Sequence, residues 1–196
     1  MYLSWLLVVA VLVLGFVGWR LSLRIGIPEI WAGPHPARSR IIYPALLGLL
    51  IGIFWVLTDL FVHREAHASF PGVIPLYTYA AILSEVTNRL FLATFIVWLV
   101  SIVILRGRAV DSTYWTVAIL LSLMTAYASG AATYRMSGGD FFWFDVISSF
   151  VLAAVFEPVA FYLYRTSAIL APLVMHFVYY AVWHMLWGGL VLQVLF

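Results

Sequence analysis

Residues 80–92, AAILSEVTNRLFL, interrupt a long apolar run with a glutamate, an arginine and three uncharged polar residues. Glu85 and Arg89 are four positions apart, which places them on one face of a helix and within reach of each other. Ionisable side chains at membrane depth cost several kcal/mol unless they are paired, and by default they mark a functional site. The segment alone therefore leaves two interpretations open, a functional site or an ion pair that joins helices without doing chemistry.

The composition identifies the class of protein. The chain is 65% hydrophobic and only 9% charged, and its mean hydropathy is +1.08. These values lie far outside those of soluble domains. The length of 196 residues leaves room for about six membrane spans with short loops and for no separate soluble domain. We therefore predict an all-α, polytopic transmembrane helical bundle of about six spans that forms one domain over residues 1–196 and lies in a lipid bilayer.

The apolar segments predict where the spans lie. We expect them at about residues 2–19, 41–61, 73–105, 113–134 and 144–164, with a last helix that begins near 171. The third segment is longer than one bilayer crossing, so it is either a strongly tilted span or a helix that breaks near the polar cluster. Gly48 and Gly52 in the second span, and the small residues at 126–132 in the fourth, predict close helix packing. Pro158, next to Glu157, predicts a kink in the fifth.

The arginines predict the orientation of the chain in the membrane. All ten basic residues are arginines, and seven of them lie in the segments 20–40, 106–111 and 165–167. The alternate loops hold only Arg64 and Arg135. The positive-inside rule therefore places the first set in the cytoplasm and the N-terminus outside. The small, scattered net charge of +2 argues against a nucleic-acid partner, and the absence of cysteine excludes disulfides and thiolate metal sites.

Two histidines follow the second span with a spacing that suggests a metal site. His63 and His67 flank Glu65 in the order H-x-E-x-H. In the zinc motif H-E-x-x-H the glutamate directly follows the first histidine, so the order differs. No third ligand is evident nearby. We therefore expect a solvated loop here and predict no metal site and no cofactor.

The last helix carries a stripe of polar aromatic residues. His176, Tyr180 and His184 are spaced i, i+4 and i+8, which places them along one face. In the predicted orientation His176 lies about one turn from the cytoplasmic face, whereas Glu85 lies about eleven residues from the outer end of its span. This difference in depth argues against a shared pocket. His176 is either a catalytic group or a hydrogen-bond donor across helices, and we expect His184 to serve packing or to lie at the interface.

Two segments resemble motifs of one protein family. SEVTNRL (residues 84–90) is similar to the first motif, E-E-x-x-x-R, of the CPBP family, the CAAX-protease and bacteriocin-processing membrane endopeptidases. YRTSAILAPLVMHFVYY (residues 164–180) resembles the late signature of that family, R-T-G/S-x-x-x-x-P-x-x-x-H, which opens the helix with the H-x-x-x-N/D motif. The CPBP-like region covers about residues 80–184. The resemblance implies an all-helical, glutamate-dependent intramembrane protease, and we expect the cytoplasmic (inner) membrane of a prokaryote.

Site residues can be transferred from the resemblance position by position. Glu85, Arg89 and His176 match the second glutamate, the arginine and the late histidine of the family, and Tyr180 stands in place of the asparagine or aspartate. These four residues form the implied catalytic site. A tyrosine hydroxyl is still a hydrogen-bond donor.

Two positions that the family uses to activate water are altered. Ser84 stands where the first glutamate belongs, and the span around residues 125–129 lacks the histidine of the F-x-x-x-H motif, with Ser129 nearest to its place. We therefore favour a catalytically degenerate member that acts as a binding or scaffold subunit, with other membrane proteins as partners. The alternative is an active protease that cleaves a peptide substrate with Glu85 and His176. A transporter ranks third, since no internal repeat is evident.

Overall fold

The computed structural model of the protein describes residues 5–29, 38–62, 67–136 and 142–195. Three residues used in the sequence arguments, His63, Arg64 and Glu65, lie outside these ranges.

The described part of the chain consists of helices and short connections, without a β-strand. Six of the helices are long and apolar enough to cross a membrane. They are α1 (Trp5–Arg24), α2 (Tyr43–Val62), α3 (Val73–Ile104), α4 (Val110–Met136), α5 (Phe142–Ser167) and α6 (Leu170–Val194). The prediction of an all-α, polytopic bundle of about six spans is confirmed.

Helix α3 is one continuous helix of 32 residues, so the alternative of a broken third span is wrong. It is α-helical over Val73–Ser84 and changes to a π-helical segment over Glu85–Ala93. The hydroxyl of Thr94 donates to the carbonyl oxygen of Arg89 at 3.0 Å, which supports the end of this segment. The helix therefore continues through the polar cluster, where it is π-helical. π-Helical turns within longer helices are frequent at functional sites.

Two glycines bring α2 into contact with α6, as the sequence predicts. A methyl group added at Gly48 would lie 2.3 Å from the carbonyl oxygen of Met175, and one at Gly52 would lie 2.7 Å from Cβ of Val182. Only glycine permits so close an approach of the two backbones. The contact at Met175 holds the turn of α6 that also carries His176.

Small residues likewise bring α4 close to α5. Ala126 is fully buried, and a methyl group at Gly130 would lie 3.3 Å from Cβ of Phe150. Helix α5 runs unbroken through Pro158.

On the other side of the bundle, Gly18 of α1 packs against the π-helical segment of α3, where a methyl group would lie 2.2 Å from the carbonyl oxygen of Leu90. Close contacts thus pack α1 against α3, α2 against α6 and α4 against α5.

Candidate functional site

A network of four ionisable side chains joins α3, α5 and α6. Arg89 donates from Nη1 to Oε1 of Glu85 at 2.5 Å and from Nη2 to Oε2 of Glu157. Nδ1 of His176 lies 2.8 Å from the same Oε1 of Glu85. Arg89 and Glu85 are 0% exposed and Glu157 is 7% exposed. We call these four residues the ion network.

The local structure explains why Arg89 can lie at the centre of this network. Glu85 is the first residue of the π-helical segment, and its spacing to Arg89 keeps both side chains on the same face. The guanidinium carbon of Arg89 lies 5.1 Å from the ring centroid of Phe161 and 5.8 Å from that of Phe156. Aromatic faces attract cations at such distances. Helix α5 therefore supplies both a carboxylate and apolar packing for the arginine.

The contact between Glu85 and His176 overturns the expectation that depth separates them. Glu85 follows the first residue of α3 by twelve positions, about 18 Å, and His176 follows the first residue of α6 by six, about 9 Å. The two helices are antiparallel, because the start of α3 at Val73 contacts Gly189 near the end of α6. The two distances run from opposite faces and together nearly equal the roughly 30 Å thickness of the hydrocarbon core. The two residues are thus almost level.

A cavity of about 200 Å³ lies beside the ion network. Helices α3, α4 and α5 contribute Ser84, Ser129 and Glu157 to its wall, and α6 contributes His176 and Tyr180. The structure thus brings together residues that the sequence places far apart. Ser84 and Ser129, the two serines named in the CPBP resemblance, both lie on this wall.

The network and the cavity wall leave several polar atoms without a partner among the described residues. Oε2 of Glu85 and Nε of Arg89 are buried and have no hydrogen-bond partner among the described residues. Glu157 is hydrogen-bonded through Oε2 only, and His176 through Nδ1 only. Tyr180 contacts His176 through its ring, with the centroids 4.5 Å apart. The catalytic role assigned to Glu85, Arg89, His176 and Tyr180 stays a prediction.

A second polar cluster connects the end of α2 with the middle of α6. Nε2 of His67 lies 2.7 Å from Oδ2 of Asp59, and Nδ1 of His67 lies 3.2 Å from Nδ1 of His184. The indole nitrogen of Trp183 donates to Oδ2 of Asp59 at 2.8 Å. Since a carboxylate accepts, His67 donates from Nε2 to Asp59, and its Nδ1 shares a hydrogen bond with Nδ1 of His184. The ring of His184 stacks on Tyr77, with centroids 3.6 Å apart, which confirms a packing role.

The prediction that His67 belongs to a solvated loop is wrong. Its side chain is only 5% exposed. The chain folds back onto α6 at Gly188, where a methyl group would lie 2.1 Å from the imidazole ring. The missing side chain at Gly188 thus provides the space for His67. Sequence reasoning also missed Asp59, although a lone acid at the end of an apolar span is itself a signal.

Metal ligation has no geometric basis in the described ranges. No three His, Asp or Glu side chains of the described residues converge as ligands. His63 and Glu65 of the H-x-E-x-H motif lie outside those ranges.

Comparisons with known proteins give no match for this chain, whether with family models, curated proteins or solved structures. The resemblance to the CPBP family therefore rests on the two sequence segments described above.

Proposed function

We propose that this chain is a catalytically degenerate CPBP-type membrane protein that serves as a binding or scaffold subunit of a membrane protein assembly. The observation that carries the proposal is the presence of Ser84 and Ser129 on the cavity wall. At these positions the resemblance calls for the glutamate and the histidine that activate water. A serine hydroxyl does not act as a general base at neutral pH without an activating partner. The proposed location is the cytoplasmic membrane of a prokaryote, with the N-terminus outside.

Glu85 is poorly placed to substitute for the missing base. It is fully buried, and its Oε1 is engaged by both Arg89 and His176. A general base must lie within hydrogen-bond reach of the water that it activates. The network therefore acts mainly to hold α3, α5 and α6 together around the cavity, and the cavity itself remains suited to binding.

The alternative is an active intramembrane protease that cleaves peptides. The observation that favours it is the contact of 2.8 Å between Nδ1 of His176 and Oε1 of Glu85, because carboxylate–imidazole pairs are common in general-base catalysis. Glu157 and His176 also lie on the cavity wall, where water has room. In this case one of these two groups would take the proton of the attacking water.

Peptide cleavage separates the two functions. The purified protein in lipid nanodiscs is incubated with a pool of transmembrane peptides, and fragments are detected by mass spectrometry. The variants are Glu85→Gln and His176→Gln, and Asp111→Asn is the matched control because Asp111 is 76% exposed in a surface ion pair. We expect no cleavage above the protein-free blank. Cleavage that is lost in the two network variants and kept in the control would establish the protease instead.

Partner recovery tests the binding role on the same variants. The tagged chain is purified from its native membrane, and the stoichiometry of co-purifying membrane proteins is measured. We expect stoichiometric partners with the wild type and with Glu85→Gln, since a scaffold role does not need a base. A chain that is recovered alone in every mild detergent and that cleaves peptides would contradict the proposal.

A further inference from the structure

The ion network has an uneven charge balance. It contains two carboxylates, Glu85 and Glu157, against one guanidinium, Arg89. His176 donates from Nδ1 to the Glu85 carboxylate, so a neutral imidazole leaves one negative charge on the network. An uncompensated charge inside a membrane bundle is unfavourable, and such charges pair with a group of opposite sign. Apart from His176 itself, the described residues in contact with the network include no second cation.

Several polar groups that face the cavity can accept a hydrogen bond. Oε1 of Glu157 has no hydrogen-bond partner among the described residues, and both Glu157 and His176 line the cavity. In the neutral imidazole that donates from Nδ1 to Glu85, Nε2 of His176 keeps a lone pair. The wall also carries hydroxyl groups that can accept a hydrogen bond, those of Ser84, Thr125, Ser129, Tyr179 and Tyr180. Nη1 and Nη2 of Arg89 are already engaged with the carboxylates, and Arg89 does not line the cavity.

From the charge balance and these acceptors together we infer that the cavity binds a primary ammonium group. An ammonium of this kind has one positive charge and three N–H donors. It would neutralise the network while donating to the Glu157 carboxylate, to Nε2 of His176 and to a serine hydroxyl. This inference rests on the proposed function, because it names the chemistry of what the binding subunit holds.

Other cations fit this wall less well. A quaternary ammonium has the charge but no N–H donor, so Nε2 of His176 would stay unsatisfied. Hard metal cations such as Ca²⁺ and Mg²⁺ take oxygen ligands and do not favour an imidazole nitrogen. The aromatic side chains of Trp55, Phe156 and Tyr179 also line the cavity and suit the alkyl part of an amine. The volume of about 200 Å³ is several times the roughly 30 Å³ that one water occupies.

The ammonium group has two sources that share this chemistry. One is a free small amine, and the other is a lysine side chain of a neighbouring transmembrane chain. The experiment uses n-propylammonium as the free probe. For the second source it uses a leucine-based transmembrane peptide with one central lysine, compared with the same peptide carrying glutamine.

Thermal unfolding in nanodiscs measures the binding. Propylammonium chloride is titrated at constant ionic strength against tetramethylammonium chloride and sodium chloride. We expect a saturable rise in Tm with propylammonium only, because a ligand at 100 times its Kd raises the folded-to-unfolded ratio about 100-fold. Isothermal titration of the wild type with the same two organic cations gives Kd directly and does not depend on any variant folding.

Two variants locate the site. Glu157→Gln keeps the shape of the side chain and removes its charge, so we expect Kd for propylammonium to rise at least tenfold. Asp111→Asn, far out in the surface ion pair with Arg165, leaves Kd unchanged. Equal stabilisation by tetramethylammonium, no saturable propylammonium effect, or an unchanged Kd in Glu157→Gln overturns the inference.

The two membrane peptides then assign the source. Competition by the lysine peptide alone identifies a partner side chain, and its failure while propylammonium binds identifies a small solute. The result is independent of the test of the proposed function. If no amine binds, the cleavage and partner-recovery experiments still test the proposed function. Peptide cleavage would contradict the proposed function whether or not an amine binds.

Discussion

Replacement of Arg89 by methionine should be among the most damaging single changes to this bundle. Methionine keeps much of the apolar volume and removes the guanidinium of the ion network. Removal of one partner of a buried ion pair costs about 3–5 kcal/mol, because the other charge stays buried and unpaired. Arg89 has two such partners, with side chains 0% and 9% exposed. We therefore expect Arg89→Met to lower the free energy of unfolding by about 4–5 kcal/mol, near the upper end of that range.

The assay is reversible unfolding in mixed micelles of a mild detergent and sodium dodecyl sulfate, followed by circular dichroism. Asp111→Asn is the control, since its pair with Arg165 is exposed and should change the free energy of unfolding by about 1 kcal/mol or less. The triple variant Glu85→Gln, Arg89→Met, Glu157→Gln removes all the charges of the three residues together. The free energy of unfolding of the triple variant should be at least about 2 kcal/mol higher than that of Arg89→Met. Neutral replacement of a whole buried network is far less costly than removal of one of its partners.

Two results would refute this reasoning. A loss in Arg89→Met no larger than in Asp111→Asn would mean that the carboxylates are not held by Arg89. A triple variant as unstable as Arg89→Met would mean that the loss comes from packing around the side chain and not from unpaired charge.

Three further predictions use the same unfolding assay. Gly18→Ala should cost about 1–3 kcal/mol, because the added methyl would lie 2.2 Å from the backbone oxygen of Leu90. Gly15→Ala should cost less, because its methyl would meet only the Cγ1 methyl of Val86 at 3.3 Å, and equal losses would contradict the close contact of α1 with α3. His67→Ala should cost about 1–3 kcal/mol by removing a partner of Asp59 and of His184, with the exposed Ser69→Ala as control. Faster hydrogen exchange at residues 67–72 should accompany the loss of stability. Unchanged exchange would contradict the role of His67 in holding this segment against α6. Tyr164→Phe removes the hydrogen bond of 2.9 Å between the Tyr164 and Thr94 hydroxyls and should cost about 1 kcal/mol, while the exposed Tyr162→Phe should have no measurable effect; similar losses in both would count against this bond.

The sites of close helix packing were predictable, and the burial of His67 was not. Gly48 and Gly52 have the spacing of a packing face, and this spacing is a local property of one helix. The burial of His67 depends on Gly188, which lies more than one hundred residues later in the chain. Nothing in the segment that contains His67 records which surface it meets, so a polar segment between two spans looks solvated.

The candidate site divides in the same way. The spacing of Glu85 and Arg89 predicted their ion pair, because residues four apart on a helix are neighbours in any fold. The second partner of Arg89 was not predictable, since Glu157 reaches it only through the packing of α5 against α3. The expected difference in depth between Glu85 and His176 was wrong. The two helices are antiparallel, so the distances of the two residues from opposite faces add up to nearly the thickness of the membrane core.

By itself, the sequence determined that this is a helical membrane protein with about six spans, and that Glu85, Arg89, Glu157 and His176 lie within those spans. Hydrophobic length and polarity are read along one segment at a time, and the bilayer imposes them on each segment separately. Only the tertiary structure decided that Glu85, Arg89, Glu157 and His176 form one network beside one cavity. The rotation and relative height of each helix depend on side-chain contacts with several neighbours at once, and no single segment contains that information.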